Sequence, residues 1–147
     1  MARETAEMNW KLILQLSLFG LAMSVATVYL IPSKIEPVFW LPIFLLSAYL
    51  IAKQCSSKLF LHGLLLGLAN SVWITAAHVL LFDTYIARHA QEAAAMQSMS
   101  VPVSPRVVMA LTGPLFGFVS GLVLGLFAFV AGKLVKKPSA RADSAVM

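Results

Sequence analysis

Five side chains able to do chemistry stand within one otherwise apolar stretch: His62, Asn70, Ser71, Thr75 and His78, inside Leu59–Phe82. Amide, hydroxyl and imidazole groups are costly in apolar surroundings unless they bond one another or line a polar path. Asn70, Ser71, Thr75 and His78 are therefore candidates either for hydrogen bonds between helices or for the lining of a solute pathway. Asn70 lies deepest, and interhelical bonding is the commoner role for such an amide. An Asn70–Ser120 hydrogen bond is the specific expectation.

A second set follows directly. If the helix continued past Phe82, then His78, Tyr85, His89, Glu92 and Met96 would fall within about 60° of one another, with Met99 one turn on. Imidazole, carboxylate and thioether are metal donors, and thioethers favour Cu(I). Their spacing matches no zinc signature, and a helix lying on a partner shows the same stripe. His78, His89, Glu92 and Met96 stand as metal candidates, with no metal and no other cofactor assigned.

Catalytic signals are absent. The chain has no Ser/His/Asp set with workable spacing, no phosphate loop and no metalloprotease motif. No catalytic residue and no enzymatic activity are expected. Asp83 and Glu36 lie at the edges of the apolar runs and no acid lies within them, which argues against a proton-driven exporter with an embedded carboxylate. The single cysteine, Cys55, excludes an internal disulfide or a CxxC relay.

The elements that position these groups follow from the apolar runs. The chain is 60% hydrophobic and 12% charged, about half the charge of a soluble domain, with a mean hydropathy of +0.86. A bilayer core of ~30 Å needs ~20 apolar residues in a helix. The expected fold is an all-α integral membrane protein with four spans at about 12–31, 38–54, 59–82 and 107–132. Thr84–Met99 is expected to form a helical extension outside. Residues 1–137 make one transmembrane domain and 138–147 a disordered tail.

The second run is short, and Lys53 and Lys58 can snorkel to complete it. The first resembles a signal peptide, with Arg3 and Lys11 ahead of a small-x-small site at Ser24-Val25-Ala26. Its apolar stretch continues to Ile31, so it is expected to stay as a span. Asn9, Ser57 and Ser104 are the expected caps of helices one, three and four, with Pro37 and Pro105 in first turns.

The net charge of +5 is a topology signal, not a nucleic-acid footprint. With four spans, Arg3, Lys11, Lys53, Lys58, Lys133, Lys136, Lys137 and Arg141 share one side. Lys34, Arg88 and Arg106 share the other. Eight of the eleven cations on one side predict both termini in the cytoplasm of a cell-membrane protein, the inner membrane in a Gram-negative bacterium.

Helix four carries glycine at every fourth position: Gly113, Gly117, Gly121 and Gly125. On a wheel these join Ala110, Ser120, Ala128, Ala131 and Gly132 on a face about 140° wide, with Leu124 the one large intruder. Hydrophobicity cannot drive helices together in lipid, whereas close backbone approach can, and small residues permit it. Counterpart faces carry Gly20 and Ser24, with Ser17 and Thr27, on helix one, and Gly63, Gly67, Asn70, Ser71, Ala77 and His78 on helix three. Helix two shows none. Helices one, three and four should form the core, with helix two facing lipid.

These features point to a non-enzymatic helix-packing or accessory component of the membrane, in contact with the lipid bilayer. Its glycine face would serve a helix of the same chain, a second copy or another membrane protein. The alternative is a small transporter or channel with a path along helix three. A metal handler or membrane enzyme is the third reading.

Overall fold

The computed structural model describes residues 7–135. The tail expected from residue 138 lies outside them. All regular structure among the described residues is helical, in the order α1 (Trp10–Tyr29), α2 (Glu36–Gln54), α3 (Leu59–Leu80), α4 (Phe82–Arg88), α5 (Ala90–Ser98) and α6 (Pro105–Leu134). Four of these, α1, α2, α3 and α6, are long and apolar enough to cross a membrane.

Local chemistry sets the ends. Asn9 caps α1, its Oδ1 accepting from the Leu12 N–H at 3.1 Å. At the far end the N–H groups of Leu30 and Ile31 both donate to the Ala26 carbonyl, and Pro32 follows, where a helix cannot donate onward. Pro37 and Pro105 occupy first-turn positions of α2 and α6, where a missing N–H costs nothing. Ser57 does not cap α3. That position falls to Lys58, which adopts a left-handed conformation with φ 54° and makes no side-chain cap bond.

The extension after α3 is helical over most of Thr84–Met99, but it is not a continuation of α3. The helix breaks at Leu81 (φ −102°, ψ 29°) and again at His89 (φ −121°, ψ 73°), so α3, α4 and α5 are separate pieces. The single stripe from His78 to Met96 does not form.

α1 and α3 run parallel, joined by Asn9 to His62 at one end and Thr27 to His78 at the other. α6 runs antiparallel to α3 and forms with it the most extensive helix contact, and α2 packs mainly on α6. At the end bearing Asn9 and Leu134, the terminal end, all four long helices meet around Leu12, Ile13, Leu16, Ala48, Ile51, Leu66, Leu124 and Ala128. The opposite, cap end carries α4 and α5.

Two details correct the sequence reading. Helix two does have a small-residue face, confined to its last turns, where Ser47, Ala48 and Ala52 are buried beside Ile51. Leu124 is no intruder: it is fully buried in the four-helix junction, so α6 has two packing faces. The outward surface is apolar over its length, with Leu14, Leu18, Val72, Leu111, Leu115 and Phe116 all more than half exposed. A monomer in water rarely shows a continuous patch of this kind; four apolar helices with such a surface suggest a membrane-embedded protein.

Candidate functional site

Two small-residue ladders face each other between α3 and α6. Along α3 stand Gly63, Gly67, Ser71 and Thr75, each four residues from the next. Along α6, in the opposite direction, stand Gly125, Gly121, Gly117 and Gly113. The pairs meet rung by rung. A Cβ built on Gly63 would lie 2.6 Å from the Gly125 Cα, one on Gly67 would collide with the Gly121 Cα, and ones on Gly117 and Gly113 would collide with the Ser71 and Thr75 side chains. At the Gly63 and Gly67 rungs the helix backbones thus touch without intervening side chains, and at the other two only the short Ser71 and Thr75 side chains lie between them, as small-x-x-x-small packing allows. Space beside Ser71 and Thr75 is filled by the α6 backbone. Ser71 Oγ donates to the Leu68 carbonyl at 2.8 Å and Ser120 Oγ to the Gly117 carbonyl at 3.1 Å, so both hydroxyls are spent on their own helices. At Gly132 the obstacle is only the Leu59 Cδ1 methyl.

Asn70 turns to α1 instead. The position of a Cβ on Gly20 is 2.5 Å from Asn70 Oδ1 and 2.9 Å from its Cα. The expected Asn70–Ser120 bond is therefore absent, because Asn70 lies on the α1-facing side of α3, off the ladder that meets α6. Asn70 Oδ1 is buried without a hydrogen-bond partner.

The rest of the α1–α3 face is well bonded. Trp73 Nε1 donates to Ser17 Oγ at 3.2 Å. Ser17 and Ser24 donate to the Leu14 and Leu21 carbonyls at 2.8 and 2.6 Å. His62, 1% exposed, accepts from the Asn9 N–H through Nε2 at 3.0 Å and donates from Nδ1 to the Lys58 carbonyl at 2.9 Å. A backbone N–H only donates, so the bond fixes the Nδ1–H tautomer.

At the cap end three rings stack. His78 and Tyr85 lie 4.3 Å apart between centroids, and Tyr85 and His89 4.1 Å. The Thr27 hydroxyl donates to the Ser24 carbonyl at 3.2 Å, which leaves its oxygen to accept from His78 Nε2 at 2.9 Å. His89 Nδ1 donates to the Tyr85 carbonyl at 2.8 Å, and its Nε2 faces the Ile31 carbonyl at 3.3 Å. Tyr85 is buried in this stack. Burial raises the pKa of its phenol, a hydrogen bond with Ser33 works against that, and Glu92 and Glu36 raise it further. Arg88 donates to the Tyr29 carbonyl at 3.1 Å. Together α4 clasps the end of α1 and the turn after it. Arg106 ties α6 to α4 through Asp83 at 3.1 Å.

The structure thus brings His78 and His89 together through Tyr85 but does not extend the set to Met96, which lines a separate apolar recess with Met99 and Val108. No group of three or more His, Cys, Asp or Glu that could hold a metal ion forms among the described residues.

Thr27, Ser33, Arg88 and Trp73 were missed as partners. Thr27 had a signal, since it shares the Gly20 face of α1; the others depend on the break at Leu81 and on long-range packing. Set against family models, curated proteins and solved structures, the chain matches none of them.

Proposed function

We propose that this chain is a small multi-pass membrane protein whose long helices α1, α2, α3 and α6 span the bilayer, with both ends of the bundle's chain on the cytoplasmic side. It acts as a non-enzymatic packing or accessory component. The observation that carries this reading is the α3–α6 seam: the small residues are used up against each other within one chain, and the Ser71 and Ser120 hydroxyls beside them are bonded to their own helices. That arrangement supports a self-contained bundle over a dimer built on the glycine face. It leaves the outward apolar surfaces for lipid and for association with a second copy or another membrane protein.

The orientation is supported by Lys11, Lys53, Lys58 and Lys133 at the terminal end, against Lys34, Arg88 and Arg106 at the cap end. In intact cells a membrane-impermeant maleimide should label Ser98→Cys from outside, in a Cys55→Ala background. Labelling only after lysis would reverse the topology.

The second reading, a transporter or channel, has one observation in its favour: the unpartnered Asn70 Oδ1 deep in α3. Vesicles reconstituted with the protein and loaded with a pH dye or potassium distinguish the two. The packing reading predicts leak rates equal to those of empty vesicles. A leak that Asn70→Ala abolishes would establish the pathway.

A further inference from the structure

At the cap end a recess of about 230 Å³ opens between the end of α1 and α4, lined by Tyr29, Leu30, Ile31, Pro32, Arg88 and His89. Its chemistry is one-sided: the lining holds a guanidinium and an imidazole and no carboxylate. The backbone offers no donor there. Pro32 lacks an N–H, and those of Leu30 and Ile31 are both committed to Ala26. Arg88 is held in place by its bond to the Tyr29 carbonyl and by the Tyr29 ring, 5.9 Å from the guanidinium carbon. One of a guanidinium's five donors is used by that bond, so most of the fork stays open in an exposed side chain. His89 lies beside it, its Nε2 engaged only by the long 3.3 Å contact to Ile31. Next to this charge stand two apolar side chains at the end of α1, Leu30 at 81% exposure and Tyr29 at 39%.

A preorganised cation beside exposed apolar surface, at the end of an apolar helix, matches a lipid at the depth where headgroup meets acyl chain. We propose that this recess binds the phosphate group of a phospholipid. Arg88 forks onto the two free oxygens of the phosphodiester, the geometry a guanidinium fits and an ammonium does not. Leu30 and Tyr29 carry the first acyl carbons. The inference rests on the reading of α1 as a membrane span.

The test is native mass spectrometry of the full chain released from phosphatidylcholine bilayers containing phosphatidylglycerol. Wild type should retain one phospholipid. Arg88→Gln should lower the retained fraction about tenfold, as loss of a bidentate charge-assisted contact implies, and Arg88→Lys should restore only part of it. Because Arg88 also holds the Tyr29 carbonyl, a second variant is needed: Leu30→Asp sets a carboxylate beside the site at an exposed position and should lower retention as well. Equal retention by wild type, Arg88→Gln and Leu30→Asp would overturn the site. Inorganic phosphate added alone separates the sources; a phosphate adduct on a chain that retains no lipid would overturn the lipid assignment in favour of a small anion. Alkaline carbonate stripping the chain from membranes would refute the spanning reading itself, whereas a firmly inserted chain with Arg88-independent lipid refutes this site alone.

Discussion

Replacing Gly67 with alanine should loosen the bundle, and replacing Gly132 should not. A Cβ on Gly67 would run into the Gly121 Cα and stand 2.6 Å from its N, both backbone atoms. Carbon contacts relax at about 3.5–4.0 Å, so clearing even the Gly121 N at 2.6 Å requires α3 and α6 to part by about 1 Å. A seam with on the order of 40 heavy-atom contacts at about 0.15 kcal/mol each loses a quarter to a half of that attraction, about 1.5–3 kcal/mol. The better helix propensity of alanine returns at most ~1 kcal/mol. The net cost is about 1–2 kcal/mol, a fall in Tm of about 2–8 °C by the scaling for chains of this size. At Gly132 the obstacle is one Leu59 methyl, with the next atom at 3.7 Å. A rotamer change clears it, and the expected effect is within about 0.5 kcal/mol. Thermal melting of both variants in one detergent reads the difference. Gly67→Ala melting with Gly132→Ala and wild type would refute backbone contact at this rung.

Other expectations follow from single groups. Asn70→Ala removes an acceptor that has no partner, so Tm should hold within the equivalent of ~1 kcal/mol or rise; a large fall would mean that Oδ1 is bonded in the membrane. His62→Leu strands the Asn9 N–H at the start of α1 and should cost about 1–3 kcal/mol, read as early loss of protection of that turn in hydrogen exchange; unchanged exchange would remove His62 from the cap. Burial holds the Tyr85 phenol above its ordinary 10.0. A raised folded-state value favours the protonated phenol, so its contribution is full below pH ~10 and is lost as pH rises through the higher value. Alkaline melting should show this loss, and Tyr85→Phe should abolish it; identical alkaline profiles for the two proteins would contradict the buried stack.

Much of this arrangement can be read in the residues before any coordinates. The four apolar runs mark α1, α2, α3 and α6 because apolar length and charge placement are local properties, legible one helix at a time. The α6 glycines were equally legible, and Gly63, Gly67 and Ser71 supplied three of the four opposing rungs. The last rung, Thr75, was hidden because a threonine hydroxyl invites a polar interpretation, whereas here its modest size is what the α6 backbone exploits. The Asn70–Ser120 pairing failed for a related reason: equal depth does not imply a shared face, and Asn70 sits toward Gly20. The cap was the least legible part. A run of alanines after Phe82 reads as uninterrupted helix, and nothing local announces the breaks at Leu81 and His89. Those breaks fold Tyr85 back between two histidines. The burial of Ala48 and Ala52 escaped notice because α2's aromatic first half dominates its composition.

The claim at the centre of this account is that the α3–α6 seam is dry and closed within one chain. The direct measurement is thiol accessibility of Ser71→Cys, a conservative change at the rung facing Gly117, in a Cys55→Ala background in native membrane vesicles. The account predicts no reaction with a small water-soluble methanethiosulfonate until the protein is denatured. Prompt labelling in the folded, membrane-embedded protein would place water beside Ser71 and contradict it.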